Sequence, residues 1–539
     1  MAPLPVSVAV DASRSLGPLT PAWRFLGYDE PNYTTHPNGR ALLATLAAME
    51  AAPLSVRVHN LLTSGDGTPG LKWGSTNVYS EDENGHPVHD WKILDEIFDV
   101  WVGLGIKPFV QIGFMPEALS SHPHPYRHSW EPGQPDAAIA TGWAYPPRDY
   151  GKWRALAREF TRHLLERYGK PEVETWLWEV WNEPDGSYWH GTCDEFCRLY
   201  DHAAAGVRDV LPEARIGGPH TTSPRCERGA RFLENFLDHC LAGKNSATGE
   251  TGAPLDFVTF HAKGWPEFQD GHVRMGITTH LKDIDCGFAL IATRPELRGK
   301  PVIVAESDPD CFAACPAATH HQFRYRTDSI YACYLAAVFA RKFALAVRHN
   351  IHFAGAVTWS FIYADRPFEG FRTLTTDGIE LPVLQIFRMF GHMQGENLPV
   401  ESSSSPSLDD ICAHGIRDRP DVSALACREG TTIHILLWHY HDDDVPGPDA
   451  KIALKIQGTP PGTPSLEHFR VDPTTSNSFA AWRALGSPEN LSDTQRELLV
   501  RAALLQPIAP PEPVANANGI SLELLLPRQG VSLLNLRWT

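Results

Sequence analysis

Residues 175–184 read Thr-Trp-Leu-Trp-Glu-Val-Trp-Asn-Glu-Pro. The first eight form an apolar, aromatic-rich run, which predicts a buried strand over 175–182. The run stops at a carboxylate, Glu183, followed by Pro184, and a proline has no N–H to give to a sheet ladder. Asn182 and Glu183 are therefore expected at the carboxyl end of a strand, where parallel α/β folds build their sites. A strand-end glutamate held in a plain salt bridge is the bland alternative at this point.

The chain around this run has a regular rhythm. Short apolar stretches near positions 26, 56, 110, 178, 217, 258, 303 and 358 are each separated by a helical pattern. The pattern over 90–104 starts at an Asp suited to an N-cap, and that over 149–168 ends at Gly169, suited to a C-cap. Eight alternating βα units over about 350 residues predict a (β/α)8 TIM barrel, spanning residues 21–385. The segment 115–147 has no periodicity and is long for a loop, so it is expected to wall an active site. Beyond Gly395 the texture changes. A Ser/Pro run at 402–407 and imperfect apolar/polar alternation at 431–438 and 520–526 predict an accessory β-sandwich over 386–539. Residues 1–20 are expected to add a strand to it.

The bulk numbers narrow the partners. Among 539 residues, 47 Lys and Arg stand against 64 Asp and Glu, for a net charge of −17. This balance speaks against nucleic acid or an anionic membrane surface. A signal peptide and an eighteen-residue apolar run are both missing from the pattern, so no membrane span is expected and a cytoplasmic location is favoured over a secreted or periplasmic one. The ten cysteines form no CxxC pair and read as reduced thiols, with Cys311 and Cys315 close enough in sequence to bridge. His122, His124 and His128 do not have the spacing of a tetrahedral zinc set, and no phosphate-cradling glycine loop is present. Neither a metal nor a cofactor is expected.

Two predicted barrel strands end on glutamate, the fourth at Glu183 and the seventh at Glu306. Hydrolysing an acetal needs an acid to protonate the leaving oxygen and a carboxylate on the sugar's other face. Strands four and seven face each other across a barrel mouth, which suits that pairing.

Further stretches carry a family resemblance. Trp181-Asn182-Glu183-Pro184-Asp185 resembles the Asn-Glu-Pro acid/base motif of glycoside hydrolase family 39, which contains bacterial β-xylosidases and the lysosomal α-L-iduronidase. Arg57-Val58-His59, Phe114-Met115-Pro116-Glu117-Ala118-Leu119, Gly217-Gly218-Pro219-His220, Phe260-His261-Ala262-Lys263-Gly264 and Glu306-Ser307-Asp308-Pro309 are similar to family motifs in the same order. The resemblance covers roughly residues 20–400. It implies a retaining double displacement with Glu183 as general acid/base and Glu306 as nucleophile. Asn182 would bond the sugar 2-hydroxyl or the nucleophile, His59 and His261 would read hydroxyls, and Trp359 and Phe114 would offer apolar surface to the ring.

The chain departs from the xylosidase pattern where many members read Glu-Trp-Asn and this one reads Glu306-Ser307-Asp308. That variant, with Lys263 and Arg372 as cations for a carboxylate, is similar to the iduronidase branch. The 114–119 stretch, Tyr145-Pro146-Pro147 and the Trp359 context resemble a bacterial xylosidase subgroup sharing both features. The resulting expectation is a retaining exo-glycosidase releasing xylose from xylo-oligosaccharides. A uronidase or an arabinosidase is the alternative within the class. A catalytically silent carbohydrate-binding barrel is the alternative outside it, against which both glutamates speak.

Overall fold

The computed structural model describes residues 1–49, 52–134, 141–360, 366–516 and 518–538. Eight parallel strands close into a barrel: β1 Phe25–Tyr28, β2 Ser55–Val58, β3 Lys107–Ile112, β4 Leu177–Val180, β5 Arg215–Thr221, β6 Phe257–Lys263, β7 Pro301–Asp308 and β8 His352–Trp359. A helix follows each: α1 Pro37–Met49, α2 Lys92–Gly103, α3 Tyr150–Tyr168, α4 Cys193–Arg208, α5 Glu227–Ala242, α6 Ile277–Ala292, α7 Ser329–His349 and α8 Pro382–Gly391. The fold is thus a TIM barrel carrying additional sheets.

Local chemistry accounts for the helix boundaries. Asp149 caps α3 by accepting the N–H groups of Gly151 and Lys152, and Gly169, at φ 79°, ends it. Such a left-handed position is cheap only for glycine. Thr192 and Glu195 form a reciprocal capping box at the start of α4.

The sandwich has a five-stranded and a six-stranded sheet. The N-terminal strand Leu4–Asp11 lies inside the first, parallel to Ala450–Gln457 and antiparallel to Val400–Ser402. Its Val6, Val8 and Val10 point inward against Ile435, Leu534 and Leu536 of the six-stranded sheet. The six-stranded sheet turns its other face to the barrel, where Leu436, Trp438, Tyr440, Val531 and Leu533 join the barrel's own core. Helix α7 is long and apolar enough to cross a membrane by length and composition, but it lies mostly buried between that sheet and the barrel strands. Arg341 of α7 reaches Asp421 of the sandwich at 2.6 Å, and the Trp438 indole donates to the same carboxylate at 3.0 Å. Two further helices, Ser478–Ala484 and Asp493–Ala503, bridge back to the barrel. Ser478 donates to the Glu380 carbonyl and Arg496 pairs with Asp377.

Two expectations need correction. Strand β4 ends at Val180, not 182, because Trp181 (φ 72°) and Glu183 (φ 41°) leave extended geometry for the left-handed region. Residues 115–134 and 141–147 do not line the central cavity. They pack behind it through Trp143, whose ring meets Phe114 and Tyr188 at a tilt. Residues 135–140 of that segment lie outside the described residues, as does Phe361.

Candidate active site

A cavity of about 290 Å³ opens at the carboxyl ends of the barrel strands. Its size is at the lower end of ligand pockets, which suits one sugar ring. It brings together Glu183, Glu306, His59, Asn182, His261, Lys263, Trp359 and Arg372. A larger hollow of about 670 Å³ lies between the 267–274 hairpin and helix Ser478–Ala484, away from both glutamates.

The centre of the site is a cation that sequence reasoning left out of the site. Arg57 of β2, fully buried, donates through Nε to Glu179 at 2.7 Å, through one terminal nitrogen to Glu306 at 3.1 Å, and through the other to Asn182 Oδ1 at 2.8 Å. One planar fork therefore holds side chains from β4, the loop after it and β7, a geometry lysine does not offer. Glu179 in turn accepts from Gln111 at 2.8 Å and pairs with His220. Burial alone would raise the Glu179 carboxyl, but Arg57 and His220 outweigh it and keep it below its ordinary value. Burial pushes the His220 imidazole down to about 4. The carbonyl of His220, itself at φ 58°, accepts the Glu183 N–H at 3.0 Å. Such strained backbone clusters at functional sites.

Glu183 and Glu306 approach closely. A carboxylate oxygen of each and a nitrogen of His261 lie within 4.8 Å of one another. Glu183 is the more open, 22% exposed against 8% for Glu306. Around Glu306 stand Lys263 Nζ at 2.8 Å, Arg57 at 3.1 Å and His59 Nε2 at 3.6 Å. Burial pushes its carboxyl up, and His261, Lys263, His59 and Arg57 together hold it well below the ordinary carboxylate range. Burial also drives His261 down to about 3, so this imidazole is neutral. The Lys263 and Arg57 cations therefore carry the Coulombic part of the pull on Glu306. Three potential ligands converge here, yet two cations already on Glu306 oppose a third positive charge at the same oxygens. The donor set does not fit a metal.

The other predicted residues divide into cavity surface and support. His261 Nδ1 lies 2.9 Å from Glu183, so it orients that carboxyl. Arg57 occupies Asn182 Oδ1 and thereby turns the amide N–H₂ end to the cavity. Trp359 closes the floor, its indole donating to Asp29 at 3.1 Å while the Arg57 guanidinium lies 5.0 Å from its ring centre. Gly27 of β1 makes room for it, since a Cβ there would sit 2.1 Å from the Trp359 ring. Phe114 does not reach the cavity. It stacks behind Tyr188, which presents the surface instead. Lys263 is spent on Glu306 and on Asp308, at 2.5 Å. Arg372 is buried, donating to the Trp359 carbonyl at 2.7 Å and pairing with Asp310 at 2.9 Å and Asp308 at 3.4 Å. Neither cysteine of the pair Cys311 and Cys315 is in a disulfide.

Sequence reasoning did not place in the site Arg57, Glu179, His220, Asp29, Tyr188 or Lys72, which lines the cavity 3.2 Å from Asp29. A signal existed for Glu179: a charge in the middle of Trp-Leu-Trp-Glu-Val-Trp must face a polar interior or pair there. Tyr188 sits on an irregular turn, where no periodicity points.

Comparison with known proteins gives the family. The sequence profile of glycosyl hydrolases family 39 matches residues 6–517. The chain is 26% identical over 460 residues to a beta-xylosidase of Caldicellulosiruptor saccharolyticus, covering 82% of each. It is 25% identical over 530 residues to the alpha-L-iduronidase of Mus musculus, covering 90% of this chain and 74% of that one. The crystal structure of a monomeric beta-xylosidase from Caulobacter crescentus CB15 shares the fold, with a TM-score of 0.77 at 21% identity over 98% of this chain and 99% of that one. The chain belongs to glycosyl hydrolases family 39.

Proposed function

We propose that the protein is a retaining exo-glycosidase that removes a terminal β-xylosyl unit from short xylo-oligosaccharides. The observation that carries the reading is that one carboxylate oxygen of Glu183 and one of Glu306 lie within 4.8 Å of each other. Retaining enzymes hold the two groups about 5–5.5 Å apart, whereas inverting ones leave about 6.5–9.5 Å for a water. Glu306, kept ionised by Lys263 and Arg57, attacks the anomeric carbon. Glu183 delivers its proton to the departing oxygen. With the leaving group gone, Glu183 takes a proton from water, which displaces Glu306 and regenerates the site. Neutral His261 tolerates both states of Glu183, accepting from the acid or donating to the carboxylate. Asn182, aimed by Arg57, supports the sugar hydroxyl next to the reacting carbon.

The choice of a neutral pentose rests on how the cations are spent. A uronate at the enclosed end would need Lys263, Arg372 or Lys72, and these are engaged by Glu306, Asp308, Asp310 and Asp29. The test is hydrolysis of aryl β-xyloside against aryl α-L-iduronide and α-L-arabinoside. Xyloside should be the preferred substrate. Glu306→Ala should abolish turnover. Glu183→Ala should slow natural oligosaccharides ~10²–10⁴-fold while azide yields a β-glycosyl azide. Preference for the iduronide would overturn the sugar and leave the two-carboxylate scheme standing. Full activity of Glu183→Ala on oligosaccharides would remove the scheme itself.

A further inference from the structure

The cavity is graded from a buried end to an open one. At the buried end Asn182, Trp359 and Arg372 are almost wholly covered. At the open end, formed by the segments after β5 and β6, Trp265 is 53% exposed, and the Arg225 and Arg228 side chains are 42% and 68% exposed. All three line the same cavity as the two glutamates. Glu183, the group that serves the departing oxygen in the reading above, is the more exposed carboxylate of the pair. The open end is therefore where a leaving group lies.

Its chemistry is specific. Trp265 is an apolar plate steadied by an edge-to-face contact with Phe312 at 5.7 Å between ring centres. Two guanidinium groups line the same cavity, each with one acidic neighbour. Arg225 touches Asp283 through Nε alone, at 3.1 Å, and Asp283 also accepts from Ser223. Arg228 comes only to 3.7 Å of Asp185, whose carboxylate is already engaged by Thr222. Both contacts run through Nε, and both side chains line the cavity, in a chain whose net charge is −17. A protein this acidic repels anionic ligands in general, so two forked cations beside an exposed indole at the exit amount to a local reversal of sign. Guanidinium forks match carboxylates, and an indole face takes a sugar or aryl ring.

We propose that the leaving-group side of the site is built for a ring bearing an anionic substituent, with Trp265 stacking the ring and Arg225 and Arg228 reading the charge. The inference rests on the glycosidase reading and deepens it from the glycone to the aglycone. Two matched substrate pairs test it. One is an aryl glycoside with a para-carboxylate against its methyl ester. The other is a disaccharide with a uronic acid in the leaving position against its carboxyl-reduced form. Both are built on whichever glycone the wild-type enzyme hydrolyses. At low ionic strength kcat/KM should favour the charged member about three- to ten-fold, the reach of two exposed ion pairs, and the preference should shrink with added salt. In Arg225→Gln/Arg228→Gln the ratio should fall to about one, while in Trp265→Ala the charged-to-neutral ratio should persist. Preference in the sugar pair alone identifies an acidic oligosaccharide, and preference in the aryl pair alone identifies an aromatic acid. Equal turnover within both pairs, or a ratio unaltered by the double substitution, would overturn the inference. A wrong glycone shows separately, in the comparison of the aryl β-xyloside with the aryl α-L-iduronide and α-L-arabinoside.

Discussion

At the scale of single residues, the site is an exercise in holding one carboxylate charged and leaving the other adjustable. Lys263 and Arg57 lie on Glu306, and neutral His261 lies on Glu183. Because Glu306 is held below the ordinary carboxylate range, it stays ionised as pH falls, and the wild-type kcat/KM should show no acid limb from it at ordinary assay pH. Replacing Lys263 by Met removes one of the two cations. The Glu306 pKa then rises, and an acid limb should enter the kcat/KM profile, shifted upward by about one to three pH units. A pH–rate profile of Lys263→Met that overlays the wild type would show that Lys263 does not set this ionisation. Glu183 and Glu306 were legible in the sequence because a carboxylate at the end of a greasy strand is conspicuous. Arg57 was legible only as a motif letter. Its reach to three partners at once depends on closing β2, β4 and β7 into one ring, and no spacing along the chain encodes that closure.

At the scale of elements, the barrel's strands trade bulk against one another. Gly27 on β1 is small because Trp359 at the end of β8 lies over it. Gly27→Ala should therefore push the floor of the site out of place, costing about 1–3 kcal/mol as other overpacked cores do and lowering kcat/KM together with thermal stability. Unchanged melting and kinetics would mean that the indole has room to move. Strand and helix order was readable because α/β alternation prints itself as a periodic switch in apolar spacing. The end of β4 was not, since the left-handed conformations of Trp181 and Glu183 are imposed by the neighbours of the turn, the Ile112 and His220 carbonyls among them. The imperfect alternation in the sandwich has a similar cause. Gly519–Leu526 alternates in burial because one face of its sheet meets solvent, and its sequence breaks the pattern only at the exposed Leu525, whereas Thr432–Tyr440 is buried on both faces and reads as a nearly continuous apolar run.

At the scale of the whole molecule, barrel and sandwich share a core through α7. Helix α7 is apolar nearly all round because it is covered on both sides, and a barrel without its cover would expose that face to water. A chain restricted to residues 21–391 should fail to give a soluble, cooperatively unfolding barrel, checked by soluble yield and circular dichroism. A stable, active barrel of that length would show the two units to be separable. The strand Leu4–Asp11 has a consequence of another kind. Its parallel neighbour, Ala450–Gln457, is made some 440 residues later. At roughly 5–20 residues per second, the ribosome leaves this strand waiting for about half a minute or longer, its valines without the surface they are shaped to meet. The opening segment must therefore be kept from pairing with the wrong edge throughout synthesis, and chaperone demand should follow the strand's apolar face more closely than anything at the catalytic mouth.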